Sequence, residues 1–151
     1  MNVLTVLKND HDTIRHQFEK FDRLHRTEFD RKWQLFDDIR LELTVHSKGE
    51  EEIFYPAMKA FNGEGRRLVM RAVKEHRDND DLLTQIARLD PVDPKFADRV
   101  AALMEDVENH FAVEEEEMFQ FAKENCPEEE LEQLGVEFEK RKMALERQLA
   151  A

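Results

Sequence analysis

Apolar residues recur at alternating spacings of three and four along almost the whole of this chain, a period that belongs to amphipathic helices. The 151 residues include only four glycines and four prolines. Most of these gather in "FNGEG" at 61–65, "DPVDP" at 90–94 and "CP" at 126–127, where turn chemistry ends helices. The period also breaks near "HRTEFDR" at 25–31. Four long helices are therefore expected at about 3–26, 29–61, 65–89 and 94–125, followed by a shorter amphipathic one at 128–149. The expected fold is all-α, one antiparallel bundle large enough to bury a core without crosslinks.

The inward line of each long helix is interrupted by polar residues, and a histidine is always among them. It runs Leu7, His11, Ile14, Phe18, Phe21 in the first helix, and Phe36, Ile39, Leu43, His46, Glu50, Ile53, Ala57 in the second. In the third it runs Val69, Ala72, His76, then Asn79 or Asp80, Leu83 and Ile86. In the fourth it runs Phe96, Val100, Leu103, Val107, His110, Glu114, Glu117, Phe121. Residues equidistant from a tight connection lie level on antiparallel neighbours. The midpoints of His11 with His46, His46 with His76, and His76 with His110 all fall inside the proposed breaks, so the four histidines share one layer. His16, about 140° round the helix from His11, and His25, roughly 21 Å further along the axis, fall outside it.

Residues four apart share a helix face, so His46 with Glu50 and His110 with Glu114 each present an imidazole and a carboxylate. The two segments repeat a pattern, "HSKGEEEIF" beside "HFAVEEEEM". Burying two carboxylates and four imidazoles without compensation would cost several kcal/mol per charge. A metal supplies that compensation. Six such donors exceed one tetrahedral zinc, whereas two ions bridged by carboxylates would use them all and keep open positions. Nitrogen with hard oxygen donors suits iron, with manganese and zinc as the alternative metals.

A formal net charge of -12 argues against nonspecific binding to nucleic acid or anionic membrane, since no basic field attracts phosphates. Cys126 is the single cysteine, so no intrachain disulfide can form and a reduced, cytoplasmic protein is expected. The start, "MNVLTVLKNDHD", has too short an apolar run for a signal peptide or membrane span.

A histidine in the first helix, His-x-x-x-Glu in the second, a histidine in the third and His-x-x-x-Glu in the fourth resembles the hemerythrin-like, or HHE cation-binding, domain family. The resemblance covers about residues 3–125. It implies an up-down-up-down four-helix bundle over residues 1–126, with His11, His46, Glu50, His76, His110 and Glu114 as ligands of two iron ions joined by an oxo or hydroxo bridge. Glu50 and Glu114 would be the bridging carboxylates, and Asp80 and Glu115 are additional ligand candidates. The oxygen carriers of that family have a fifth histidine, four residues from the first on the third helix, where this chain has Ala72 or Asp80. One imidazole fewer leaves a place for a small ligand. The expected function is therefore a di-iron protein reacting with O2 or peroxide, in sensing, detoxification or peroxidase- or catalase-like turnover. The alternatives are a reversible O2 or NO carrier or sensor, and a regulatory module with a structural dimetal site.

Several other features carry expectations. Glu51 and Glu52 are expected to face solvent, and Glu117 to be a helix-end residue or a proton relay. Pro56 predicts a kink just past the ligand layer. Gly49 is read either as room for a ligand or a close helix, or as a tolerated surface glycine. Tyr55 and Trp33 receive no role. Residues 127–151 carry an amphipathic stripe of Leu131, Leu134, Phe138, Leu145 and Leu149, which either packs on the bundle or forms the face of a homodimer.

Overall fold

The computed structural model describes residues 1–150. Helix α1 spans Val3–Asp22, α2 Phe29–Gly49, α3 Tyr55–Lys59, α4 Gly63–Ala87, α5 Pro94–Val113, α6 Phe119–Asn125 and α7 Glu128–Ala150. Two π-helical turns, π1 at Glu50–Phe54 and π2 at Glu114–Met118, join α2 to α3 and α5 to α6. The chain thus forms four antiparallel rods, α1, α2–π1–α3, α4 and α5–π2–α6, with α7 laid against α1, α2 and π1. Of the segment expected at 127–151, the last residue lies outside the described residues. No helix among the described residues is long and apolar enough to cross a membrane.

Local chemistry explains where the rods start. Asn2 caps α1 by accepting from the Thr5 N–H, Asn62 caps α4 through the Gly65 N–H, and Asp93 caps α5 just before Pro94. Such side chains satisfy backbone donors that the first helical turn leaves free. The first rod ends at Asp22, earlier than its apolar period implied.

The π-turns differ from expectation. Pro56 was expected to kink a continuous helix, but the irregularity is a widened turn directly before it, closed by the Tyr55 N–H on the Glu50 carbonyl. Proline removes one donor from the regular ladder. The matching turn, closed by the Phe119 N–H on the Glu114 carbonyl, has no proline, so Pro56 is not its general cause. What the two turns share is the Glu-rich run after His-x-x-x.

Two apolar clusters flank the histidine layer. One holds Leu7, Phe54, Met58, Leu68, Met118 and Phe138; the other holds Ile14, Phe36, Ile39, Leu83, Phe96 and Phe111. The C-terminal stripe is spent within the chain: Leu131, Leu134, Phe138 and Leu145 are buried, and Leu149 is exposed. Close packing of α7 on the N-terminus requires Gly135, where a Cβ would come 2.1 Å from the Met1 carbonyl oxygen.

Candidate metal centre

Each long rod delivers one histidine to the layer, and the two π-turns each open with a glutamate. His11, His46, Glu50, His76, His110 and Glu114 are all at most 3% exposed. Their Nε2 and carboxylate oxygens converge. His46 Nε2 lies 3.1 Å and His76 Nε2 3.3 Å from Glu50 Oε1. His11 Nε2 lies 3.2 Å from Glu114 Oε1, and His110 Nε2 3.6 Å from Glu114 Oε2. Two sets of donors close enough to share a cation result, one of His11, His46, Glu50 and Glu114, the other of Glu50, His76 and His110.

The opposite nitrogen of every imidazole is held by an acid. His11 Nδ1 pairs with Glu115 at 2.7 Å, His46 Nδ1 with Asp10 at 2.9 Å, His76 Nδ1 with Glu51 at 2.8 Å and His110 Nδ1 with Glu75 at 2.9 Å. An acid on one ring nitrogen orients the ring and directs the other nitrogen's lone pair toward a metal. The pattern is internally two-fold: the acid next to each π-turn glutamate serves the histidine of the neighbouring rod, and the acid before His11 or His76 serves His46 or His110.

These positions revise the expectations for several acids. Glu51 and Glu52 are both exposed, as expected, but neither is merely solvated: Glu51 also anchors His76, and Glu52 pairs with Arg141 of α7. Glu115 sits on the outer nitrogen of His11, bound also by Arg15 at 2.9 Å, and so lies behind the ring. Asp80 is exposed beside Arg40 and Thr44, because Asn79, three residues after His76, takes the inward position and is buried.

Tyr55 is the functional candidate that sequence reasoning missed. Its hydroxyl donates to Glu114 Oε2 at 2.6 Å and lies 3.2 Å from both Glu50 Oε1 and His76 Nε2. Five residues on a regular helix turn about 140°, which would point Tyr55 away from Glu50. The wider π-turn brings it back. At the two-fold equivalent stands Phe119, stacked towards His11, so the centre has a hydroxyl on one side only.

The buried charges respond to one another. Burial alone would lower His46 and His76, but Glu50 and Asp10 raise the former to about 10, and Glu50 and Glu51 raise the latter to about 9. Burial opposes ionisation of Glu50 as well, yet His46 holds its carboxyl well below the ordinary range. Burial and the adjacent Glu114 and Glu50 push the Tyr55 hydroxyl well up, keeping its proton in place. Burial alone would raise Glu115, but His11 and Arg15 draw it down to about 2.

Raised histidines stabilise the metal-free fold fully below their unfolded value of 6.5, and that contribution is lost as pH rises through about 9 and about 10. Thermal unfolding in a chelator should therefore show Tm falling from neutral pH towards about 10. A Tm that rises over that window would contradict the charge pairing.

Six donors fit a metal pair on a further ground. Among the described residues, His11 Nε2, His46 Nε2, Glu50 Oε2 and Glu114 Oε1 are buried without a hydrogen-bond partner. Buried polar atoms are rarely left so. Their close approach without hydrogen bonding is the arrangement of ligand atoms facing shared cations.

Comparison with known proteins agrees with this geometry. The chain is 30% identical over 149 residues to a DNA nickase of Nostoc sp., covering 99% of this chain and 41% of that protein. It is 25% identical over 134 residues to an uncharacterized hemerythrin-like protein of Schizosaccharomyces pombe, covering 88% of this chain and 65% of that one. The chain thus spans between two fifths and two thirds of the length of these relatives. Its fold is similar to the crystal structure of a hemerythrin HHE cation binding domain-containing protein from Mycobacterium kansasii, with TM-score 0.87 and 26% identity over 98% of this chain and 89% of that one. The hemerythrin HHE cation binding domain model matches residues 2–122, and with its histidines and glutamates placed for metal binding the chain belongs to that family.

Proposed function

We propose that this chain is a non-haem di-iron protein that binds and reacts with O2 or peroxide. The observation that carries the proposal is the convergence of four acid-anchored imidazoles and two carboxylates in a buried layer. His11, His46, Glu50, His76, His110 and Glu114 would hold the ions, Glu50 being the residue common to both donor sets. Bound there, iron supplies Lewis acidity and electrons for reduction of the small oxidant. Phe111, stacked on His11 at 3.8 Å between ring centroids, and Phe138, buried 6.2 Å from the His46 ring, keep bulk water from that side of the layer. Tyr55 orients Glu114 and keeps a proton at its hydroxyl beside Glu50 and His76.

The protein expressed with ample iron is expected to carry two irons per chain, to show near-ultraviolet charge-transfer absorption, and to consume peroxide. Near-zero iron without those bands would sink the proposal. Asp10→Asn keeps the side-chain shape but weakens the acid behind His46. It should lower metal affinity by about 10–100-fold in a chelator competition, and unchanged affinity would deny the outer acids their supporting role.

The identity to a DNA nickase favours a second reading, cleavage of a DNA strand at the same ion pair. The net charge of -12 weighs against it, since DNA affinity rests on phosphate neutralisation. Incubation of supercoiled plasmid with the metal-loaded protein and added catalase separates the two. Intact plasmid supports the first reading, and nicked circles that Glu50→Ala abolishes support the second.

A further inference from the structure

The two-fold pattern of the centre is broken by its coverage. Between α4 and the α5–π2 rod a crevice reaches His110 and Glu114 directly, with about 10 Å³ of room, close to the space of one water molecule. Four larger surface grooves touch none of the six inward residues. Arg71 and Glu117 stand over this crevice, 3.3 Å apart with both side chains 46% exposed, and Val113 and Glu75 form its sides.

On the opposite side the equivalent positions are Val6, Ile53, Gly49 and Asp10. There α7 closes the gap. Phe138 lies so near Gly49 that a Cβ would come 2.7 Å from its ring, and Lys142 bonds Asp10 at 2.5 Å. An apolar pair at Val6 and Ile53 suits the covered side, and an ion pair at Arg71 and Glu117 suits one left open to water.

We infer that small solutes reach the centre through the crevice beneath Arg71 and Glu117, and that α7 makes this access one-sided. An exposed ion pair contributes little to holding a structure closed, so its two side chains part readily and serve as a gate for molecules of two or three heavy atoms. The closed crevice has room for about one water, so peroxide or a linear triatomic anion enters only as the pair parts, and larger reductants are excluded. Gating by surface side chains acts on the association rate. This inference rests on the di-iron reading.

Stopped-flow mixing of the iron-loaded full chain with azide, followed by absorbance, measures that rate, with iron content determined for each variant. Val113→Trp fills the crevice and should slow association by about tenfold, whereas Arg71→Ala with Glu117→Ala should speed it by about threefold. Ile53→Ala, on the covered side, should leave it unchanged. Rates that respond to neither crevice change, or that rise as much with Ile53→Ala, overturn the entrance while two irons per chain keep the metal reading intact. A wild-type chain without iron overturns the metal reading, and the entrance with it.

Discussion

Alanine at Glu50 is expected to reduce the metal content from two ions per chain to one or none. Glu50 is the residue that belongs to both donor sets, and its Oε1 lies within 3.3 Å of two imidazole nitrogens from two different rods. Removing it takes an oxygen donor from each set at once. It also leaves His46 and His76 without the carboxylate that favours their protonated forms, so the metal-free variant should lose part of its alkaline sensitivity. Metal analysis beside far-ultraviolet circular dichroism separates loss of ligation from loss of fold. A folded Glu50→Ala protein with two tightly held ions would remove Glu50 from the ligand set.

Phe138→Ala should produce a large loss of stability, about 3–5 kcal/mol, because it deletes a fully buried aromatic ring and leaves a cavity that the helices cannot easily collapse. The ring has 0% exposure, packs against the Gly49 backbone and sits edge-on to His46. It is the central anchor of α7, which is also held by the buried Leu131, Leu134 and Leu145, by the Lys142–Asp10 and Arg141–Glu52 pairs and by the Gly135 contact with the N-terminus. Denaturant unfolding measures the change. A loss below about 1 kcal/mol, the scale of a surface substitution, would show that α7 does not dock through this residue.

How far the centre could be read from the residues depended on whether a feature is local to one helix. His46 with Glu50 and His110 with Glu114 are i,i+4 pairs, and nothing beyond the helical period is needed to place each on one face. The order of the rods follows from turn positions in the same way. Tyr55 was invisible to that reasoning because the period assumed for it was wrong by the width of one π-turn. The outer acids were invisible for a different reason. Glu51 and Glu75 reach histidines on neighbouring rods, and such reach depends on how far each rod is rotated about its own axis. In the acid-rich run after His46, the helical period already sets Glu50 apart on the His46 face, but only tertiary neighbours separate Glu51, behind His76, from Glu52, on Arg141.

The C-terminal helix shows the same division. Its stripe was legible as apolar, and both outcomes, packing on the bundle or on a second copy, satisfied it equally. Burial against α1, α2 and π1 was decided by fit: Gly49 on the bundle leaves room for the Phe138 ring, and Gly135 on α7 leaves room for the N-terminal backbone.

The sequence alone determined the helices, their layer of histidines and the donor types, because periodicity and turn chemistry act over a few neighbouring residues. Tertiary structure decided which acids support which rings, where the one tyrosine points and which side of the centre stays open. Those depend on the rotation and spacing of whole helices, set by side-chain packing over the full length of the bundle.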